Sequence, residues 1–172
     1  MKLVNILFNK QAQADKLYLG DATGLWFLAR NKVINLPNLI IYLKQAQDSE
    51  LKNFLQLYLD DNIKVITQIQ NLLKDKGFHA PDEPYWKDML NDNSAFNIPN
   101  TILNDEKIAN SLIELLRLSL TLIAEALRNA VTENPRETIY DLLTEENNTY
   151  DQLIRLRVKK NWFAPPPFLS PL

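Results

Sequence analysis

A short phrase is written twice in this chain. Lys76-Gly77-Phe78-His79-Ala80-Pro81 returns as Lys160-Asn161-Trp162-Phe163-Ala164-Pro165, with Gly77 and Asn161 standing 84 residues apart. The same step, carried back without a gap, pairs Leu72 with Leu156, Gln68 with Gln152, Leu59 with Leu143 and Ala46 with Ala130. It goes on to pair Leu43 with Leu127, Leu36 with Leu120, Leu28 with Leu112 and Asp21 with Asp105. A register held over two stretches of helical periodicity predicts a helical hairpin made twice and folded back as an all-α four-helix bundle. None of the repeated residues is a catalytic type in a catalytic spacing, so the architecture arrives without chemistry.

Local signals divide the single expected domain into an N-terminal arm (1–20), a first hairpin (21–81), a crossover (82–104), a second hairpin (105–165) and a proline-rich tail (166–172). In the arm, Leu3, Ile6, Leu7, Leu17 and Tyr18 are free to lie against the bundle or a neighbouring subunit. Gly20 and Asp21 open the first helix, with the Asp21 carboxylate in the first turn where free amides and the helix dipole favour it. Pro37 interrupts that helix, and its missing amide and bulky ring predict a kink or local unwinding over 33–37. Asp48-Ser49-Glu50 reads as the hinge to the second helix, which Gly77 ends in the left-handed conformation. Asn104 caps the third helix, whose apolar positions cover more than one stripe, as a central or subunit-contacting helix requires. Asn134-Pro135-Arg136-Glu137 has the pattern of an N-cap, a first-turn proline and a Glu three residues on, which places the start of the fourth helix there. Helices of about 27 residues are about 40 Å long. The crossover is far longer than a tight turn and, at about 75 Å when extended, can run back along the whole bundle. Two short-looped hairpins joined in that way make the ferritin-like topology.

Composition removes several functions. There is no cysteine among the 172 residues, which excludes disulfides, a thiolate nucleophile and cysteine metal sites. The formal charge is −2 with basic and acidic residues interspersed, which argues against nucleic acid as a partner. The opening Met1-Lys2-Leu3-Val4-Asn5-Ile6-Leu7-Phe8 turns polar too soon for a secretory leader, and the most apolar stretch, 112–127, carries Glu114, Arg117 and Glu125, so no transmembrane segment is expected. These features predict a soluble protein of the cytoplasm or an assembly formed from it.

A di-metal centre in such a bundle needs Glu-x-x-His on two helices. The one histidine, His79, lies past a helix end opposite Phe163 and reads as packing or surface. Asp61, Glu145 and Glu146 are the nearest remaining metal candidates, so no metal and no cofactor is expected. Projection of the apolar stripes brings Lys32, Asn35, Asn62, Ser119 and Glu146 to one mid-height layer. Two readings stay open for it: the Lys32 ammonium pairs with Glu146 in place of a metal's charge, or these groups face solvent or fix the register of the bundle.

Four segments resemble a ferritin-like family of unknown function from spore-forming bacilli, related to spore coat protein F. They are Gly24-Leu25-Trp26, Gln47-Asp48-Ser49-Glu50-Leu51-Lys52, Asp105-Glu106-Lys107-Ile108-Ala109-Asn110, and Arg155-Leu156-Arg157-Val158-Lys159-Lys160-Asn161-Trp162 running into Ala164-Pro165-Pro166-Pro167. The resemblance implies a four-helix bundle and a place in or near the spore coat. The leading expectation is therefore a non-enzymatic structural or interaction protein with protein partners or self-association, a homodimer among the options. The alternatives are a degenerate metal or redox protein using Asp61, Glu145 and Glu146, and a small-molecule binder in a cavity opened at Pro37.

Overall fold

The computed structural model describes residues 17–82, 86–91, 98–99 and 101–163. Most of the predicted arm, part of the crossover and the proline-rich tail lie outside the described residues. Five helices are formed among those described: α1 (Leu19–Gln45), α2 (Ser49–Asp75), the short α3 (Trp86–Asn91), α4 (Asp105–Asn129) and α5 (Glu133–Lys159). The all-helical expectation is met.

α1 packs against both α2 and α4, and α5 packs chiefly against α4. Contacts at the helix ends give the directions. Gly24 of α1 faces Ala126 near the end of α4, and the chain just past α1 meets Asp105 at the start of α4. α1 and α4 are therefore antiparallel, as are the two helices of each hairpin. The crossover leaves from the end where α1 begins and returns at the end where α1 finishes, so it runs the length of the bundle. α3 lies along α1 on that path, with Trp86 buried.

The interior has two apolar clusters stacked along the bundle axis. One gathers Leu36, Ile40, Leu55, Leu59, Leu112 and Leu116; the other gathers Leu25, Leu28, Ile69, Leu73, Ile123 and Ile139. Each such side chain contributes about 1.5–3 kcal/mol by leaving water, and truncating one to Ala costs about 2–5 kcal/mol. Hydrogen-bonded polar groups separate the clusters.

Several boundaries differ from expectation for clear reasons. α1 begins at Leu19 and continues through Pro37 without local unwinding, its flanking residues Leu36 and Leu39 fully packed in the core. Burial on both sides of the proline holds the helix together across the lost amide. The first hinge is 46–48 rather than 48–50: Asp48 is the N-cap of α2, its Oδ1 accepting from the amides of Glu50 and Leu51 at 3.0 Å each. The cap of α5 is Thr132, not Asn134, so Pro135 sits in the first turn two positions later than the pattern implied. Thr132 makes no side-chain capping bond, and its hydroxyl donates to the Asp21 carboxylate.

Both hairpins close with a left-handed residue. Gly77 has φ 79° and Asn161 has φ 58°. At each, the following amide reaches back to close the last turn, Phe78 to the Leu73 carbonyl at 2.9 Å and Trp162 to the Arg157 carbonyl at 2.8 Å.

Candidate functional site in the bundle interior

Three of the five residues expected at mid-height meet there. Lys32 of α1, Asn62 of α2 and Glu146 of α5 are 5%, 4% and 6% exposed. The Lys32 Nζ donates to Asn62 Oδ1 at 2.9 Å and to Glu146 Oε2 at 3.2 Å. The other carboxylate oxygen, Oε1, accepts from the Tyr58 hydroxyl at 3.0 Å, and the Asn62 amide donates to the Tyr58 carbonyl at 2.6 Å. Helical spacing makes this possible. Tyr58 and Asn62 are four apart and so lie one above the other on the inner face of α2, both turned toward α1 and α5.

The electrostatics close on themselves. An ammonium and a carboxylate each cost several kcal/mol to desolvate, and only direct pairing with further hydrogen bonds offsets that. Here both carboxylate oxygens are engaged and the ammonium has two acceptors. Burial, then the Glu146 charge, pushes the Tyr58 hydroxyl well above the usual phenol range, so it stays a donor. Lys32 Nζ also stands 5.9 Å from the centre of the Tyr58 ring, within cation–π range.

The remaining sequence candidates are placed elsewhere. Asn35 is half-buried and its amide donates to the Asn31 carbonyl of its own helix at 2.9 Å. Ser119 is buried at the layer's height on α4 but is not bonded to these groups. Asp61 is exposed and pairs with Lys64 at 3.0 Å, and Glu145 is exposed. The three carboxylates considered for metal are thus not brought together, and no group of three or more metal-ligating side chains occurs among the described residues. His79 is exposed.

Two features escaped sequence reasoning. Tyr58 stands in the apolar stripe of α2, although its position four residues before Asn62 marks it as a neighbour. The other is a pair of carboxylate clamps. Asp21 is fully buried, and its Oδ1 accepts from the amides of Val131 at 2.7 Å and Thr132 at 3.3 Å, across from α1 to the second hinge. Asp105 does the same for the first hinge, accepting from the amides of Gln47 at 2.8 Å and Asp48 at 3.0 Å. Donors and acceptors in the two clamps are related by the step of 84 residues, so each hairpin's first turn holds the other's hinge. At the Asp105 end, Lys160 also pairs with Asp48 at 2.6 Å and with Glu50 at 2.9 Å, tying α5 to α2. The Lys160 ammonium holds the Asp48 carboxyl below its ordinary range.

Fold and interior define an all-helical bundle of two interlocked hairpins with a buried lysine–glutamate pair at its centre. A family model described as "Protein of unknown function (DUF3231)" matches residues 5–171, and the chain belongs to that family. Among solved structures, the chain is similar to a candidate spore coat protein from Bacillus halodurans, at 18% identity and TM-score 0.80 over 91% of this chain and 97% of that one. That likeness concerns the fold. Comparison with curated proteins gives no match. No helix among the described residues is long and apolar enough to cross a membrane.

Proposed function

We propose that this chain is a non-enzymatic structural and interaction protein: a single domain of ferritin-like topology in which the Lys32 ammonium stands where bundles of that topology hold metal. One observation carries the reading. The interior polar groups satisfy one another, with Lys32 bridging Asn62 and Glu146 while Tyr58 occupies the second carboxylate oxygen. Such a set offers neither an open coordination position nor a free base, and its natural effect is to fix which helices face each other. Partner contacts then fall to the surface, where Ile34 and Leu118 stand half-exposed.

The fold shared with the Bacillus halodurans protein supports a place in spore-coat-related assembly. The test is to tag the protein in its own organism and compare purified spore coats with vegetative cytosol. Enrichment in the coat is expected, and a purely cytosolic distribution would remove the assembly role. An anaerobic titration with ferrous, manganous or zinc ions tests the other half. Unchanged thermal stability is expected, whereas stoichiometric binding with a raised melting temperature would restore the metal-protein reading.

A further inference from the structure

The geometry points to the chain's own residues 1–16 as the occupant of an apolar groove on the seam between α1 and α4. The groove has a volume of about 590 Å³, and its walls include Leu19, Gly24, Phe27, Leu122, Ala126 and Asn129. Leu19 is 76% exposed and Phe27 52% exposed, although the backbones beneath are in close contact: a Cβ on Gly24 would lie 3.2 Å from that of Ala126. Large apolar side chains left open beside so tight a seam need a cover.

The far end of α1 has one, and it is the segment that leads into α4. α3 packs on α1 with Trp86 buried, Lys44 Nζ donates to the Met89 carbonyl at 2.7 Å, and Gln45 Nε2 donates to the Ile98 carbonyl at 2.8 Å. The step of 84 residues that relates the two clamps also relates the segment before α4 to the segment before α1. It carries Gln45 to Asn129 on the groove wall and Lys44 to Arg128 beside it. Both offer side-chain N–H donors suited to main-chain carbonyls, as Lys44 and Gln45 do at the covered end.

The segment has the residues for the task. Leu3, Ile6 and Leu7 have the spacing of Trp86, Met89 and Leu90 in α3. The chain arrives in the right place, since Leu17 packs against the cluster of Leu25, Leu28 and Ile69 and Leu19 is already a wall of the groove. Sixteen residues span up to about 53 Å extended, while the stretch of α1 along the groove is about 14 Å long.

Because the chain lacks cysteine, one engineered thiol is a unique labelling site. Thr121→Cys on the exposed surface of α4 carries a nitroxide, and amide signals are recorded for the full chain enriched in nitrogen-15. Loss of intensity at residues 3–8 is expected in the labelled chain, with none when a spin-labelled, unenriched chain is mixed with an enriched, unlabelled one. Loss in the mixed sample would assign the groove to a second copy and overturn the proposal. Full intensity in both samples would leave the segment away from the groove and overturn it as well.

Discussion

The two hairpins are built on one plan and differ where it matters. Their turns agree position for position: Asp21 and Asp105 hold opposite hinges, and Gly77 and Asn161 close the last helices. Their middles disagree. Lys32 corresponds to Leu116, Tyr58 to Leu142 and Asn62 to Glu146, so hairpin one contributes the cation and its neutral partners, and hairpin two the anion. The shared features specify a hairpin, and the unshared ones specify how two hairpins meet. A buried ion pair that can be satisfied in one arrangement only selects that arrangement, even where its net contribution to stability is small.

Making the halves alike at the layer should produce the largest effect. Lys32→Leu copies the residue found at 116 and strands the Glu146 carboxylate, for an expected loss of about 3–5 kcal/mol in urea unfolding. Adding Glu146→Asn, which copies Asn62, should restore about half of that or more. Strict additivity of the two losses would mean that the pair is not acting as a pair.

The clamps give the next contrast. Asp21 is fully buried and Asp105 only partly, so removing the same carboxylate should cost different amounts. Asp21→Ala is expected to lose about 2–4 kcal/mol and Asp105→Ala about 1 kcal/mol, since amides at the second site can turn to water. Equal losses would show that burial does not set the difference.

Tyr58 supplies a pH signature that its counterpart Leu142 cannot. In the unfolded chain the phenol ionises near pH 10, whereas the folded protein keeps it protonated beyond that. Above that pH the unfolded state binds fewer protons, so stability is full below about pH 10 and falls as pH rises further. Tyr58→Phe should flatten this alkaline decline while costing about 1.5–3 kcal/mol at neutral pH, the worth of a hydrogen bond to a charged group. A variant with an unaltered alkaline limb would refute the assignment. The smallest effect lies at the closing turns: Asn161→Gly should gain about 0.5 kcal/mol in thermal unfolding, because its φ of 58° is free for glycine and only tolerated by asparagine.

Much of this was readable in the sequence, through periodicity. A stripe at helical spacing located the layer and, within it, Lys32, Asn62 and Glu146. The same projection gathered Asn35 and Ser119, since a stripe gives the face but not where a short polar side chain finds its partner. Asn35 found one four residues back on its own helix. Asp21 was read as a first-turn carboxylate, which is correct as far as local rules reach. Its bonds to residues 131 and 132 depend on packing between hairpins, and no window along the chain contains both ends. Arg157 was likewise invisible: it is buried, with Nη2 on Asn110 Oδ1 at 2.5 Å and its guanidinium 5.3 Å from the Phe163 ring centre.

The reciprocal clamps also impose an order on synthesis. The first hairpin leaves the ribosome with Asp21 lacking its hinge partners, for Val131 and Thr132 are translated some hundred residues later. Until then the start of α1 is held only by its neighbours within the hairpin, and the nascent half-bundle exposes the face that α4 will cover. The Asp105 clamp can form as soon as α4 emerges, because its partners Gln47 and Asp48 are already made. One lock can therefore close once α4 has emerged, and the other only after the second hinge has followed it.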